Sequence, residues 1–296
     1  MITRLREREV QALARKALID HDAMHLPVNP IVFAKNKLEI HVESFDPEEQ
    51  DVSGFLIRVD NRFGIGYSTA IASKGFQNFT VAHELGHYFI DGHFEALLVD
   101  GLHQSRSGYI SQDRYEREAD IFATEFLMPW KLISPIATRS VQGFPAIKTI
   151  ADQCESSIIA SAIRYTSVAK EPVAVVVSHA GTVEFMCASD PFRQMPGIQW
   201  LRRGDRLPAA VPSAEFALRS KWIADCAIAE EGALLSKWFS SAPNIEVEED
   251  IVGLGNYGRL LTVIIAEWDE DEEVVEEGGD DYIERWRHGG FRGKKG

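Results

Sequence analysis

Cysteine is scarce in this chain: Cys154, Cys187 and Cys226 are odd in number, far apart and never in a C-x-x-C pair. That pattern excludes a disulfide framework and a thiolate metal cluster, so they read as small buried hydrophobes or free thiols. Long apolar runs are also missing. No stretch of 18 apolar residues could span a bilayer, and Met1-Ile-Thr-Arg-Leu-Arg-Glu-Arg8 has mixed charge with no apolar targeting core. A cytoplasmic protein without a membrane partner is therefore expected. Positive charge is in deficit as well, with 31 Lys and Arg against 45 Asp and Glu for a net charge of −14. Phosphate binding needs a basic face, so direct nucleic-acid binding is not expected as the main role. Basic segments of a protein partner would be attracted instead.

Apolar material, by contrast, is ample. Forty-five per cent hydrophobic residues, 16 Phe and 6 Trp can fill sizeable cores, and 296 residues suggest two domains. The pentad His83-Glu84-Leu85-Gly86-His87 lies in an apolar run from Phe79 to Ile90 that reads as a buried helix. Residues four apart share a helix face, so both imidazoles can address one cation. Glu84 lies about 100° further round the helix, within reach of a water held by that cation. Two nitrogen ligands beside a carboxylate form the pattern of zinc-assisted hydrolysis. The plainer alternative is a helix that happens to carry two histidines and a glutamate.

Catalytic zinc usually takes three protein ligands. Glu116 is one candidate, on a second helix across Tyr115–Met128 whose packed face is Ala119, Phe122, Ala123 and Phe126. Asp120, one turn on, could accept the outer N–H of a ligating histidine. Glu118 and Glu125 fall on the opposite side and read as solvated charges, Glu118 being the fallback ligand if that helix is rotated. His93 is the other candidate, six residues after His87, but Ile90 stands where a helix-breaking glycine would be needed. Gly86 inside the first helix costs about 1 kcal/mol relative to alanine, which implies close approach by another backbone.

Phe79-Thr-Val-Ala-His-Glu-Leu-Gly-His87, followed by Glu116-x-x-Ala119-Asp120-x-Phe122-Ala123-x-x-Phe126-Leu127-Met128-Pro129, resembles the ImmA/IrrE family of zinc metallopeptidases. The likeness covers roughly residues 1–170, with Val52–Leu56 and Arg58–Asn61 similar to the strands that precede the helix in that family. Departures are mild: Asp120 stands where asparagine is also common, and Phe126 replaces a frequent leucine. The resemblance implies a zincin-like fold and Zn2+, with Mn2+ as a substitute, on His83, His87 and Glu116. It also implies Glu84 as general base, and cleavage of a helix-turn-helix transcriptional repressor that switches on stress-response or mobile-element genes. The competing function is a non-catalytic, metal-containing regulatory module that binds a repressor or a small ligand; Glu84 speaks against it.

Periodicity organises the rest into an α+β chain. Residues 3–20 form an amphipathic helix with Leu5, Leu13, Ala14, Ala17 and Leu18 as its stripe; a short helix opens at Ile31, and Leu38–Glu43 alternates as a half-buried strand. Gly54–Asp60 and Phe63–Ser68 make a hairpin whose second strand is expected to be a substrate-pairing edge, or else an ordinary hairpin strand. Residues 92–112 read as a mobile loop carrying His103 and Tyr109, which with Tyr115 are candidate donors to a tetrahedral oxyanion. Phe144–Val168 resembles a helix-turn-helix but reads as a packing module. Val173–Ser178 with Gly181–Cys187 forms a hairpin, and Arg259–Trp268 another central strand. The expected division is 1–138, the zinc metallopeptidase domain; 139–170, the helical segment; 171–268, an α+β sensor (GAF-like, as in some family members) or docking domain; and 269–296, a charged tail. Eleven carboxylates and no lysine or arginine between Glu267 and Glu284 favour disorder in that tail.

Overall fold

Thr3 caps the first helix by accepting from the amide of Arg6, and α1 runs over Arg4–Asp20 with Val10, Ala14, Ala17 and Leu18 buried. Leu5 departs from the expected stripe and is 70% exposed, because the first turn directs Arg6 toward the interior. Asn29 caps α2 (Pro30–Lys37), whose proline sits at the start where no amide is needed. Strand β1 (His41–Phe45) begins later than the alternation suggests, because Leu38 still closes α2. Then come β2 (Val52–Val59), β3 (Arg62–Ser68), α3 (Lys74–Phe89, capped by Ser73), α4 (His93–Leu97), β4 (Leu102–Arg106) and α5 (Arg114–Leu127, capped by Asp113). The computed structural model describes residues 2–46, 52–60, 62–97, 102–106, 113–137, 142–255 and 258–268. Tyr109 and the 269–296 tail lie outside them.

The first sheet has the order β1-β3-β2-β4. β1 runs parallel to β3, and the other pairs are antiparallel. Two expectations are corrected here. Phe63–Ser68 is not an edge, because β3 is paired on both sides; β4 holds that position. The segment 92–112 is not merely a loop, since it contributes α4 and β4, the latter registering Leu56 opposite His103. Helix α3 lies on β2 and β3, α5 packs on α3, and α1 packs on α5. Phe89, Phe122 and Phe126 stack in series, with Phe33 of α2 edge-on to Phe126, so aromatic packing fixes these helices to one another.

Because α1 covers α5, the far face of α5 is dry, and a third expectation falls: Glu118 and Glu125 are both 1% exposed rather than solvated. Each is matched by arginines. Glu125 accepts from Arg15 of α1 at 2.9 Å, from the amide of Trp130 at 3.0 Å, and from Arg164. Trp130 opens α6 (Trp130–Ala137), which leads to α7 (Gly143–Cys154) and α8 (Ile158–Val168). Glu155, at φ 51°, turns the chain between α7 and α8. Arg164 is buried on α8 and also donates to the carbonyl of Met128 at 3.0 Å, so it is committed to packing rather than to a phosphate.

The remaining elements are β5 (Val173–His179), β6 (Thr182–Ala188), α9 (Asp190–Gln194), α10 (Pro212–Ala217), α11 (Ser220–Ala224), β7 (Ile228–Leu234), α12 (Leu235–Trp238), β8 (Glu246–Gly253) and β9 (Arg259–Ala266). They build a five-stranded antiparallel sheet in the order β6-β5-β9-β8-β7. Val173, Val175, Val177, Leu261, Val263 and Ile265 on one face join the same hydrophobic core as α7, α8 and the first sheet. Residues 1–266 accordingly pack as one unit. Asp250 of β8 accepts from the amide of Phe144 at 2.6 Å, capping α7, where Gln142 makes no side-chain cap.

Two stability predictions follow from these buried carboxylates. Glu125→Ala leaves Arg164 without its carboxylate in a dry site and is expected to cost about 3–5 kcal/mol in urea-induced unfolding. Glu249, fully buried on β8, accepts from Ser213 and, at 2.7 Å, from the indole of Trp238. Burial raises its pKa above the ordinary value of 4.5 despite those hydrogen bonds. The folded state therefore holds this proton more tightly than the unfolded chain does, so Glu249 lowers stability progressively as pH rises above about 4.5. The unfolding free energy of Glu249→Gln relative to the parent should accordingly climb as urea titrations are repeated from pH 4.5 to 8.

Candidate metal centre

Helix α3 places His83 and His87 one turn apart with their Nε2 atoms 3.0 Å from each other. Glu116, in the first turn of α5, brings Oε2 to 3.3 Å from His83 Nε2 and Oε1 to 3.5 Å from His87 Nε2. Zinc–ligand bonds of about 2.0–2.1 Å in a tetrahedron separate neighbouring ligand atoms by about 3.3 Å, which these distances match. The donor set therefore fits a divalent cation. The close packing comes from a missing side chain. A Cβ on Gly86 would lie 2.9 Å from Ala119 Cα, so only glycine lets α3 and α5 approach this far.

Each surrounding group has a definite partner. Asp120, half exposed, accepts from His83 Nδ1 at 2.9 Å, which leaves Nε2 facing Glu116. His87 Nδ1 lies 3.0 Å from His93 Nδ1, behind the convergent atoms; His93 is thus not among them, nor is Glu118, which sits 3.3 Å beyond His93. Glu84 is fully buried. Its Oε1 accepts from the Ser105 hydroxyl at 2.6 Å, while Oε2 has no hydrogen-bond partner among the described residues. Ser105 and His103 project from β4 two residues apart, hence on one face. His103 Nε2 is 3.1 Å from Glu116 Oε1, and its ring is 4.4 Å from that of His87. Tyr115, the third oxyanion candidate, packs edge-on against His93 at 5.0 Å, on the far side of His87.

The site is electrostatically negative. Burial opposes the charged form of His83, but hydrogen bonds to Asp120 and Glu116 and the charge of Glu84 prevail and hold its pKa at about 10. Burial would raise Glu116, yet hydrogen bonds from His103 and His83 keep it well below the usual carboxylate range. Burial, followed by the charges of His83 and His103, pushes His87 well below its ordinary value. Burial raises Glu84, against His83 and the Ser105 hydrogen bond. Carboxylates able to hold a proton on a buried imidazole can hold a divalent cation in the same place.

Sequence reasoning points to His83, Glu84, His87, Glu116 and Asp120, and also names His93 and Glu118 as alternative ligands and His103 and Tyr115 as oxyanion donors. Ser105 carried no signal, because a serine in a glycine- and serine-rich stretch looks like loop, and its partner Glu84 is 21 residues away.

Residues 35–164 match the family model of the IrrE N-terminal-like domain, peptidase family M78. That segment lies within the residues 1–170 over which the sequence resembles the ImmA/IrrE family. A Mycobacterium tuberculosis transcriptional regulator of known structure superposes with a TM-score of 0.52 at 10% sequence identity, over 87% of this chain and 76% of that one. At such identity the likeness is one of fold. No curated protein matches the sequence.

Gly86→Ala is expected to lower the melting temperature. It gains about 1 kcal/mol of helix propensity but meets backbone of α5, where overpacking costs about 1–3 kcal/mol. A thermal scan in which the transition rises would contradict the close approach.

Proposed function

We propose, starting from an IrrE N-terminal-like peptidase domain at residues 35–164, that this protein is a zinc-dependent endopeptidase. Its substrate would be a helix-turn-helix transcriptional repressor, and its cleavage would switch on stress-response or mobile-element genes. The observation that carries the proposal is the one unpartnered oxygen of buried Glu84 beside three convergent ligand atoms. A metal kept only for structure has no use for such a group. Two imidazoles and a carboxylate favour zinc, which outranks manganese at nitrogen-containing sites, with manganese as a substitute.

His83, His87 and Glu116 hold the metal, and Asp120 orients His83. When bound, zinc polarises the scissile carbonyl and lowers the pKa of water toward about 7. Glu84 Oε2 takes a proton from the attacking water and hands it to the leaving amine. Ser105 anchors Oε1, so that Oε2 is the basic atom. Of the oxyanion candidates, His103 lies beside Glu116 at 3.1 Å and Tyr115 is turned away. β4 is an edge of its sheet, and its outer backbone groups suit pairing with an extended peptide. The net charge of −14 favours the basic DNA-binding segment of a repressor as partner, not the nucleic acid itself.

We assign 1–138 to the zincin-like peptidase, 139–170 to the helical connector and 171–268 to a sensor or docking domain. The second sheet, counted within itself, has the order 2-1-5-4-3, which supports the GAF-like reading of that domain. No described helix is long and apolar enough to cross a membrane, in keeping with a cytoplasmic role. The size of this second lobe also supports the alternative of a regulatory module that binds a repressor without cutting it.

Glu84→Gln decides between the two. It should retain stoichiometric zinc while reducing cleavage of a helix-turn-helix repressor substrate by about 10²–10⁴-fold, read on gels with and without chelator. Cleavage at the parental rate would refute the general-base role, and no chelator-sensitive cleavage by the parent would favour the binding module.

A further inference from the structure

Behind His87 runs a chain of polar groups that the peptidase reading does not require. Glu118 is 1% exposed and accepts from Arg6 Nη2 at 2.6 Å and from Arg114 Nε at 2.6 Å. Its Oε2 also faces His93 Nε2 at 3.3 Å. An ionised carboxylate offers only acceptors, so His93 Nε2 must carry the proton of that contact. A neutral imidazole then has a lone pair on Nδ1, and this atom meets His87 Nδ1 at 3.0 Å. The proton in that second contact must come from His87. With Nδ1 protonated, His87 presents its lone pair at Nε2, the atom that faces His83 and Glu116.

We propose that His93 and Glu118, anchored by Arg6 and Arg114, are positioning residues that lock His87 in the Nδ1–H tautomer and hold Nε2 toward the metal. This rests on the metal-site reading above. His83 obtains the same service directly from the carboxylate of Asp120. His87 lies deeper, fully buried, and is served through an intervening imidazole by Glu118, which Arg6 of α1, 112 residues earlier than Glu118, holds in place. The assignment explains why a histidine and a glutamate are both buried at the back of the site. It also gives α1 a part in metal binding, although α1 contributes no candidate ligand.

His93→Phe removes the acceptor at the Nδ1 position while keeping ring volume. Loss of such an outer partner typically weakens metal binding by about 10–100-fold. His93→Asn places an amide oxygen where Nδ1 stood and should recover most of that loss. The readouts are the zinc Kd from competition with a chromophoric chelator and the visible absorption spectrum of the Co2+-loaded protein. The expected result is weakened zinc and an altered Co2+ spectrum in His93→Phe, recovery in His93→Asn, and an intermediate effect for Glu118→Gln. Circular dichroism melts of the metal-free proteins identify any variant that fails to fold; should His93→Phe be one, Arg6→Met, which loosens Glu118 from a half-buried position, carries the test through the same two readouts. A folded His93→Phe with parental Kd and spectrum overturns this inference alone, as do equal losses in His93→Phe and His93→Asn. A parent protein that binds no zinc, or binds it as well after His87→Ala, overturns the metal-site reading and this inference with it.

Discussion

The site depends on one contact, the passage of α3 over α5 at Gly86 and Ala119. Two helices that close bring the imidazoles of His83 and His87 on one within about 3.5 Å of the Glu116 carboxylate on the other. A side chain of any size at position 86 would part them, and Glu116 would be the first group displaced, because it sits in the first turn of α5. The aromatic stack of Phe89, Phe122 and Phe126 holds the same interface from below. Packing energy from the core is thereby converted into precise placement of polar atoms at the rim.

Around that contact, charge is distributed with economy. Three buried or half-buried carboxylates, Glu84, Glu116 and Glu118, lie within a few residues of one another in space, and each has a different set of partners. Glu118 is neutralised by arginines, Glu116 by histidines, and Glu84 is left with one oxygen unsatisfied among the described residues. Burial acts on all three in the same sense, raising the pKa, and only the partners differ. The different electrostatic states of these three carboxylates are therefore written in the neighbours, not in the residue type.

This also explains what the sequence disclosed and what it withheld. His83, Glu84 and His87 were legible because their relation is local: the helical period alone sets their mutual geometry. Glu116 and Asp120 were legible one step further, through the apolar face that fixes how α5 must lie. Glu118 and Glu125 were misjudged for a physical reason. The period tells which side of α5 faces α3, but not that α1 covers the other side with Arg6 and Arg15. β4 was read as loop because Leu102–Arg106 lacks apolar alternation; its register comes from pairing with β2, a non-local constraint. The second sheet was partly visible, as the unbroken valines of β5 and the apolar run of β9 announce central strands. β7 and β8, rich in glutamate, gave no such signal.

The cap that Asp250 places on α7 bears on how the two halves of the chain communicate. Its carboxylate belongs to the second sheet, yet it completes a helix whose partner α8 is rooted through Arg164 in the helix that carries Glu116. The turn between those two helices touches the beginning of α3, where Lys74 pairs with Glu155 at 2.7 Å. These contacts join β8 through α7 and α8 to both helices that carry the candidate site. Severing the chain near residue 170 would leave the first part with an unfinished helix and a bare valine-facing surface.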